Sequence, residues 1–231
     1  MTTHTRTPMP APARPAPIFT LPGVYAPQHD TALLTRALDR EDIGAGTSVL
    51  DLGTGSGALA VAAARRGARV TALDISWRAV LTARLNALLS RQSVTVHHGD
   101  LTTRVPRGPF DLVLSNPPYV PSPSPMLPRR GAARAWDGGL AGRLVVDRVC
   151  DTAPRILRTG GVLLMVHSAL CDEQLTLDRL ALRGMKAEVV ERRLIPFGPV
   201  LRSRQAWLRR RHLIGDDETS EELVVVRAER V

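Results

Sequence analysis

The sequence predicts an α/β fold, a parallel sheet covered by helices on both faces, and three observations carry that prediction. Beyond residue 46, short runs rich in Val and Leu alternate with amphipathic stretches of helical length, the signature of repeated strand–helix units. The first of these runs gives way to a glycine-rich turn, DLGTGSGA, that opens a helix. The chain, 231 residues with 44% hydrophobic and 23% charged, is also long enough to bury one core of ordinary size.

Residues 1–18 are rich in Pro, Thr and Ala and lack periodic apolar positions, so they are expected to form a disordered tail ahead of a single domain over 19–231. HDTALLTRALDRE, 29–41, reads as an amphipathic helix whose Leu33, Leu34 and Leu38, with Ile43 just beyond, cover the sheet. The first strand is 47–53 and the helix after it, 58–67, is closed by Gly67. A second strand, 68–76, leads through Ser76 as a helix N-cap into a helix over 77–92. The run 93–100 alternates as a third strand, and 110–116 is a buried fourth that must stop at Pro117-Pro118, because proline neither donates to a ladder nor continues a helix. Four prolines make 121–134 a long irregular loop, a kind that in compact domains is often functional. A helix is expected over 140–161, ended by Gly160-Gly161 and kinked or broken at Pro154. A fifth strand at 161–168, a helix at 172–184 and late strands at 187–195 and 222–229 complete the pattern, with no element assigned over 195–215.

Composition excludes several classes of function. The amino-terminal stretch has no apolar core of a secretory signal, and no run reaches the about 20 apolar residues of a membrane span, so a cytoplasmic protein is expected. Cys150 and Cys171 form no CxxC pair, which argues against a disulfide scaffold or zinc ribbon. The nearest approach to a metal cluster is His97-His98, but adjacent strand residues face opposite ways, so no metal is expected. The formal charge of +9 admits a nucleic-acid partner. Lys186 is the only lysine among 31 basic residues, however, and this arginine bias with abundant Ala, Pro and Gly marks GC-rich coding, so part of the charge is compositional.

The chemistry gathers at the carboxyl ends of the strands, the ligand edge of such a sheet. Gly53, Gly55 and Ala58 satisfy the dinucleotide pattern G-x-G-x-x-G/A, and Asp74 ends the second strand, where a carboxylate can accept both hydroxyls of a ribose. NAD and S-adenosylmethionine enzymes share these features. Three details choose the second. Asp51 precedes the glycines, where an acid can receive the ammonium of an amino-acid ligand directly or through water. Asp100, beside Leu101, can accept an adenine amino group. No nicotinamide-site His or Tyr/Lys pair follows the fifth strand.

In that order, VLDLGTGSG, ALDIS, HHGDL and LVLSNPPYV resemble a class I S-adenosylmethionine-dependent methyltransferase. The Asn-Pro-Pro-Tyr form resembles both the HemK/PrmC group of protein glutamine-N5 methyltransferases and the amino methyltransferases of nucleic acids. GVYAPQHDT and AWDGGLAGRLVVDRV are similar to the short HemK-like branch, which lacks an amino-terminal helical domain. The resemblance covers about Gly23 to Val166. It implies a Rossmann-like sheet of seven mostly parallel strands with the last antiparallel, and S-adenosylmethionine as cofactor. It also implies Thr31, Asp51, Gly53, Gly55, Asp74, Ile75, Asp100, Leu101 and Asn116 around that cofactor, and a pocket closed by Tyr25.

The residue types at the Asn-Pro-Pro-Tyr corner suit one problem. A planar NH2 group is a poor nucleophile because its lone pair is delocalised. Asn116 can accept one of its N–H bonds and the Pro117 carbonyl the other, Pro117 and Pro118 stiffen those acceptors, and Tyr119 can pack on the flat group. The nitrogen is then aimed at a sulfonium methyl. A flipped adenine or cytosine presents the same edge as an amide, so the motif leaves the acceptor open. A protein glutamine is the first reading, an RNA or DNA amino group or a small molecule the alternative, and a binding protein without turnover is disfavoured by the intact corner. A release factor is not singled out, because the longer release-factor enzymes resemble this chain only in their catalytic half. The 121–134 loop and the arginines of 202–211 are the candidates for acceptor contact.

Overall fold

The alternation resolves into seven strands and six α-helices among the described residues of the computed structural model, which are 18–231 apart from Thr102. All but the last residue of the expected tail lies outside them. The strands are β1 (Ser48–Leu52), β2 (Arg69–Asp74), β3 (Val94–His98), β4 (Phe110–Ser115), β5 (Leu157–Ser168), β6 (Met185–Pro196) and β7 (Ser220–Arg230). They form one sheet in the order β3-β2-β1-β4-β5-β7-β6. Pairing is parallel from β3 through β5, and β7 runs antiparallel between β5 and β6. This is the Rossmann-like, mostly parallel sheet expected. The chain winds from β1 out to β3 and returns to β4 on the other side of β1, so the order reverses between β1 and β4 and a ligand crevice is expected there.

Helices α1 (His29–Leu38), α2 (Ala58–Ala64) and α3 (Trp77–Leu89) pack in a row on one face, while α4 (Leu144–Ile156) and α5 (Glu173–Ala181) pack together on the other. Strands covered on both faces read as nearly continuous apolar runs rather than alternating ones, which is why Leu50, Leu52, Val113, Leu114, Leu163 and Leu164 are all fully buried. Leu33, Leu34 and Leu38 of α1 are fully buried, and Ile43 packs against the same core.

Four expectations need correction. The helix placed over 140–161 spans only Leu144–Ile156, because Gly138 to Gly142 turn before it and β5 begins directly after it. Pro154 lies in its last turn, where few further helical bonds remain to be broken. Gly160-Gly161 is accordingly no helix stop but the irregularity at which the β4–β5 register shifts: Gly160 has φ 71°, and a Cβ on Gly161 would lie 3.0 Å from the Phe110 carbonyl. Ser76 occupies the N-cap of α3 without a side-chain capping bond. Finally, the unassigned 195–215 stretch holds α6 (Pro199–Arg210), with proline in its first turn and Leu201 and Leu208 buried against Phe197 and Ile214 in a small separate core.

Candidate active site

The loops after β1, β2, β3 and β4 converge on a cavity of about 900 Å³. The turn from β1 to α2 builds one wall. Gly53, Gly55 and Gly57 all have positive φ (73°, 54° and 81°), a region costly for other residues. The amides of Gly53 and Thr54 both donate to the Leu73 carbonyl, at 2.9 and 3.0 Å, which clips the turn to the end of β2. A Cβ on Gly53, which lines the cavity, would meet nothing within 4 Å, so this backbone is open to a ligand. At Gly57 the constraint is packing: a Cβ there would lie 2.9 Å from the Ala83 Cα of α3.

Asp74 closes β2 on the cavity wall. One carboxylate oxygen accepts the Gly55 amide at 2.9 Å and the other the Ser76 amide at 2.8 Å, leaving each with capacity for a further donor. Burial raises its pKa, opposed by those two amides and by the positive charges of Arg134 and His98. Ile75, Gly99, Asp100 and Leu101 continue the same wall. Asp51 lies one layer deeper: it is fully buried and off the cavity wall. Its Oδ2 accepts the Thr54 hydroxyl at 2.6 Å and the Ala60 amide at 3.1 Å, while its Oδ1 has no partner. Burial pushes its pKa up to about 7, against the pull of those two donors.

Opposite stands the corner that ends β4. The Ser115 hydroxyl donates to the Leu52 carbonyl at 2.9 Å, binding the last residue of β4 to β1. Asn116, Pro117 and Pro118 line the cavity, with Thr31 and Tyr25 beside them. The segment carrying Tyr25 is tied down by Asn86 of α3, which accepts the Phe19 amide at 2.9 Å and donates to the Phe19 carbonyl at 2.7 Å. Tyr119 is different. Its ring is buried and off the cavity wall, and its hydroxyl donates inward to Asp30 at 3.2 Å. Its carbonyl accepts the Cys171 thiol at 3.0 Å. The Val120 amide donates to the Trp136 carbonyl at 2.8 Å and the Gly138 amide to the Val120 carbonyl at 2.9 Å, so the corner is braced from the chain that follows it.

The two candidates for acceptor contact separate. Leu127, Pro128, Arg129, Arg130 and Arg134 of the long loop and its extension border the cavity, and Arg78 and Arg148 join them. None of the arginines of 202–211 lines it. Two of those are internal clamps: Arg202 donates to the Phe197 carbonyl at 2.8 Å, and Arg204 donates to the Pro121 carbonyl at 2.9 Å and pairs with Asp137 at 2.7 Å. Sequence reasoning passed over Asp30, which is buried and accepts hydrogen bonds from both tyrosines of the chain. Its signal was an acid in the first turn of a helix, directly before Thr31.

The cleft fits S-adenosylmethionine on this chemistry. An amino-acid ammonium would answer the orphan oxygen of Asp51 through a water, a ribose the open capacity of Asp74, and the nucleoside the uncrowded backbone at Gly53. Residues 16–124 match the family model for the methyltransferase small domain. A Methanocaldococcus jannaschii protein, provisionally named a protein N5-glutamine methyltransferase, is 35% identical over 177 residues, which is 76% of this chain and 88% of the relative. A release factor glutamine methyltransferase of Gloeobacter violaceus is 41% identical over 152 residues, and this chain spans only 53% of its length. Among solved structures, E. cuniculi Mtq2, in its complex with Trm112 responsible for methylating the termination factor eRF1, superposes with a TM-score of 0.63 at 26% identity, covering 90% of this chain and 99% of that one. Fold, site and likeness together define an S-adenosylmethionine-dependent methyltransferase. Within that class, the chain belongs to the protein N5-glutamine methyltransferase, or HemK, family.

Proposed function

We propose that this enzyme methylates the side-chain amide nitrogen of a glutamine in a protein, a translation release factor being the first substrate to try. The observation that carries the reading is the Asn116-Pro117-Pro118 corner, which lines the same cavity as Asp74. In this reading Asp74 holds the ribose hydroxyls, Asp100 beside Leu101 and Ile75 the adenine, and Asp51 the ammonium, while Gly53, Gly55 and Thr31 shape the space between. When bound, S-adenosylmethionine supplies an electrophilic methyl on a sulfonium. The Asn116 side-chain oxygen and the Pro117 carbonyl accept the two amide N–H bonds, which places the nitrogen lone pair in line with that methyl. With that methyl supplied, the nitrogen would gain a bond to carbon as the sulfonium leaves as a thioether, and would release its surplus proton to water. Positive charge develops on the nitrogen opposite two fixed oxygens, which is where such stabilisation acts. Pro118 and Tyr25 border the acceptor, and Tyr119, set behind the wall, supports the corner rather than stacking in the open.

The test is transfer of labelled methyl from S-adenosylmethionine to recombinant release factor, with the site located by peptide mass spectrometry. Modification of a single glutamine supports the reading. Label that only a nuclease removes from cell extract would replace it by the second reading, amino methylation of nucleic acid, which the cavity-lining Arg78, Arg129, Arg130, Arg134 and Arg148 favour.

The reading includes a partner subunit, as Mtq2 has in its complex with Trm112. Helix α3 leaves Trp77, Leu81, Leu85, Leu88 and Leu89 between 39% and 74% exposed, and beside it β3 is an edge strand of the sheet. Exposed apolar rows of this kind mark contact surfaces, and an unpaired edge adds a template for a further strand. Leu81→Glu with Leu88→Glu should raise the solubility of the isolated chain and abolish capture of a co-expressed Trm112-like subunit; capture at the wild-type level would remove this part of the reading. A cytoplasmic setting suits the two buried free thiols, Cys150 and Cys171, and no helix among the described residues is long and apolar enough to cross a membrane.

A further inference from the structure

We propose that Asp30 is a positioning residue that decides which end of the Asn116 amide faces the acceptor. The inference rests on the acceptor corner proposed above and extends it to a residue that does not line the cavity. Asp30 is 2% exposed in the first turn of α1, a place where the helix dipole favours a negative charge. Four donors converge on its carboxylate. Oδ2 accepts the Tyr25 hydroxyl at 2.7 Å and the Tyr119 hydroxyl at 3.2 Å, and Oδ1 accepts the Thr31 amide at 2.5 Å and the Thr31 hydroxyl at 3.2 Å. A carboxylate offers about four acceptor positions, and these four donors match them, with the buried Glu221 carboxyl close enough to interact with the same group.

The direction of the next bond follows from proton counting. A threonine hydroxyl has one proton, and Asp30 takes it. What Thr31 Oγ1 presents to Asn116 is therefore a lone pair. Asn116 Nδ2 lies 3.5 Å from Thr31 Oγ1, a long contact of the kind that tightens when substrate binds. A side-chain amide has an accepting end and a donating end, and a lone pair attracts the donating one. The Asn116 oxygen is thereby turned to the acceptor, the orientation methyl transfer to an NH2 group needs. Reversing the amide would point two N–H bonds at the N–H bonds of the acceptor. The same carboxylate holds Tyr119 from behind and Tyr25 at the rim, so one buried charge aligns three sides of the acceptor pocket.

The test compares Asp30→Asn, Thr31→Val and Thr31→Ser with wild type and with Asn116→Ala, using recombinant release factor and labelled S-adenosylmethionine. Thr31→Val keeps the side-chain shape and removes the lone pair, whereas Thr31→Ser keeps the hydroxyl. Asp30→Asn and Thr31→Val should lower the transfer rate at saturating cofactor by about 10- to 100-fold, the scale of a misplaced reacting group. Thr31→Ser should restore most of the rate lost in Thr31→Val, and because Thr31 also borders the cofactor, each variant is compared at its own saturating S-adenosylmethionine. A second readout needs no turnover: the side-chain amide resonances of Asn116 in a nitrogen-15 spectrum should shift in Thr31→Val and return in Thr31→Ser. If Asp30→Asn fails to fold, the Thr31 pair decides alone. Wild-type transfer and unshifted Asn116 resonances in Thr31→Val would overturn the proposal. If Asn116→Ala is inactive while Thr31→Val and Asp30→Asn are active, the acceptor site stands and the role of Asp30 falls. If Asn116→Ala itself transfers normally, it is the acceptor-site reading that fails.

Discussion

Asp51→Asn should stabilise the ligand-free protein above neutral pH while weakening its hold on S-adenosylmethionine. The Asp51 carboxyl is fully buried with one oxygen unpartnered, and its pKa rises from 3.8 to about 7 because burial disfavours the charge. An acid whose pKa is higher folded than unfolded keeps its proton in the native state over a range where the unfolded chain has lost it. Stability is then greatest below about pH 4, falls as pH rises to about 7, and levels off once both states are ionised. The interval is about three pH units at 1.36 kcal/mol each, so ionising Asp51 costs the folded state about 4 kcal/mol. Asparagine supplies an oxygen to accept from Thr54 and Ala60 and carries no charge, so it removes that cost. For a domain of this size the melting temperature at pH 8 should rise by about 8 to 16 °C, and at pH 5, where only part of the cost has developed, by less than half of that. Binding runs the other way. A ligand ammonium beside Asp51 favours the carboxylate, so binding near pH 7 should expel a proton and affinity should climb from pH 5.5 to 7.5. Calorimetry in two buffers of different ionisation enthalpy counts that proton, and scanning calorimetry from pH 5 to 8 follows the stability. A wild-type melting profile parallel to that of Asp51→Asn, with no proton released on binding, would refute the reasoning.

Three further outcomes are expected. Asp74→Ala should weaken S-adenosylmethionine by about 1 to 3 kcal/mol, the scale of losing hydrogen bonds to a charged group, and titration calorimetry giving an unchanged affinity would remove Asp74 from the ribose site. Asn116→Ala should leave that affinity intact and slow single-turnover transfer by about 100- to 1000-fold, as when one oriented partner of a developing charge is lost; a near-wild-type rate would reduce the corner to a strand terminator. Gly57→Ala, at φ 81° with its new Cβ 2.9 Å from the Ala83 Cα, should destabilise the fold by about 1 to 3 kcal/mol, and chemical denaturation showing no loss would mean that α2 and α3 separate freely.

The parts of the fold legible in sequence were those with one dominant local cause. A buried parallel strand is a continuous apolar run, and a turn that needs positive φ shows its glycines, so β1 through β5 and the cofactor loop could be read directly. Gly160-Gly161 misled because a glycine pair suits a helix stop and a strand irregularity equally, and only the shift between Phe110 and Leu112 in the β4 ladder separates them. Helix α6 was missed because its apolar positions, Leu201 and Leu208, are sparse among arginines; Pro199 after Gly198 was the start signal. Around the site, Asp74, Asp100 and Asn116 were visible as polar residues at strand ends. Asp30 was not, since its partners Tyr25 and Tyr119 are far apart in sequence and meet only once α1 lies against the end of the sheet. The burial of Tyr119 has the same origin: a tyrosine beside prolines reads as a stacking platform until an inward acceptor for its hydroxyl is known.

Acceptor identity has to be sought away from the corner. In the proposed reading Asn116 and the Pro117 carbonyl recognise any planar NH2, and Asp30 with Thr31 only fixes how they do so. What differs between a glutamine in a loop and a base in a strand is everything around that group, and here the surroundings are Arg129, Arg130 and Arg134 at the cavity border. Their loop leaves the corner at Pro121, whose carbonyl accepts from Arg204 of α6, and its return is held where Arg204 pairs with Asp137. Asp137 is 7% exposed and Arg204 largely covered, so the pair sits where solvent screening is weak. Helix α6 thus sets where the arginine loop starts and ends without touching the cavity. Because α6 lies in the stretch with no counterpart in the motifs that define the class, selection among acceptors can change there while Asn116, Asp74 and the glycine turn stay as they are.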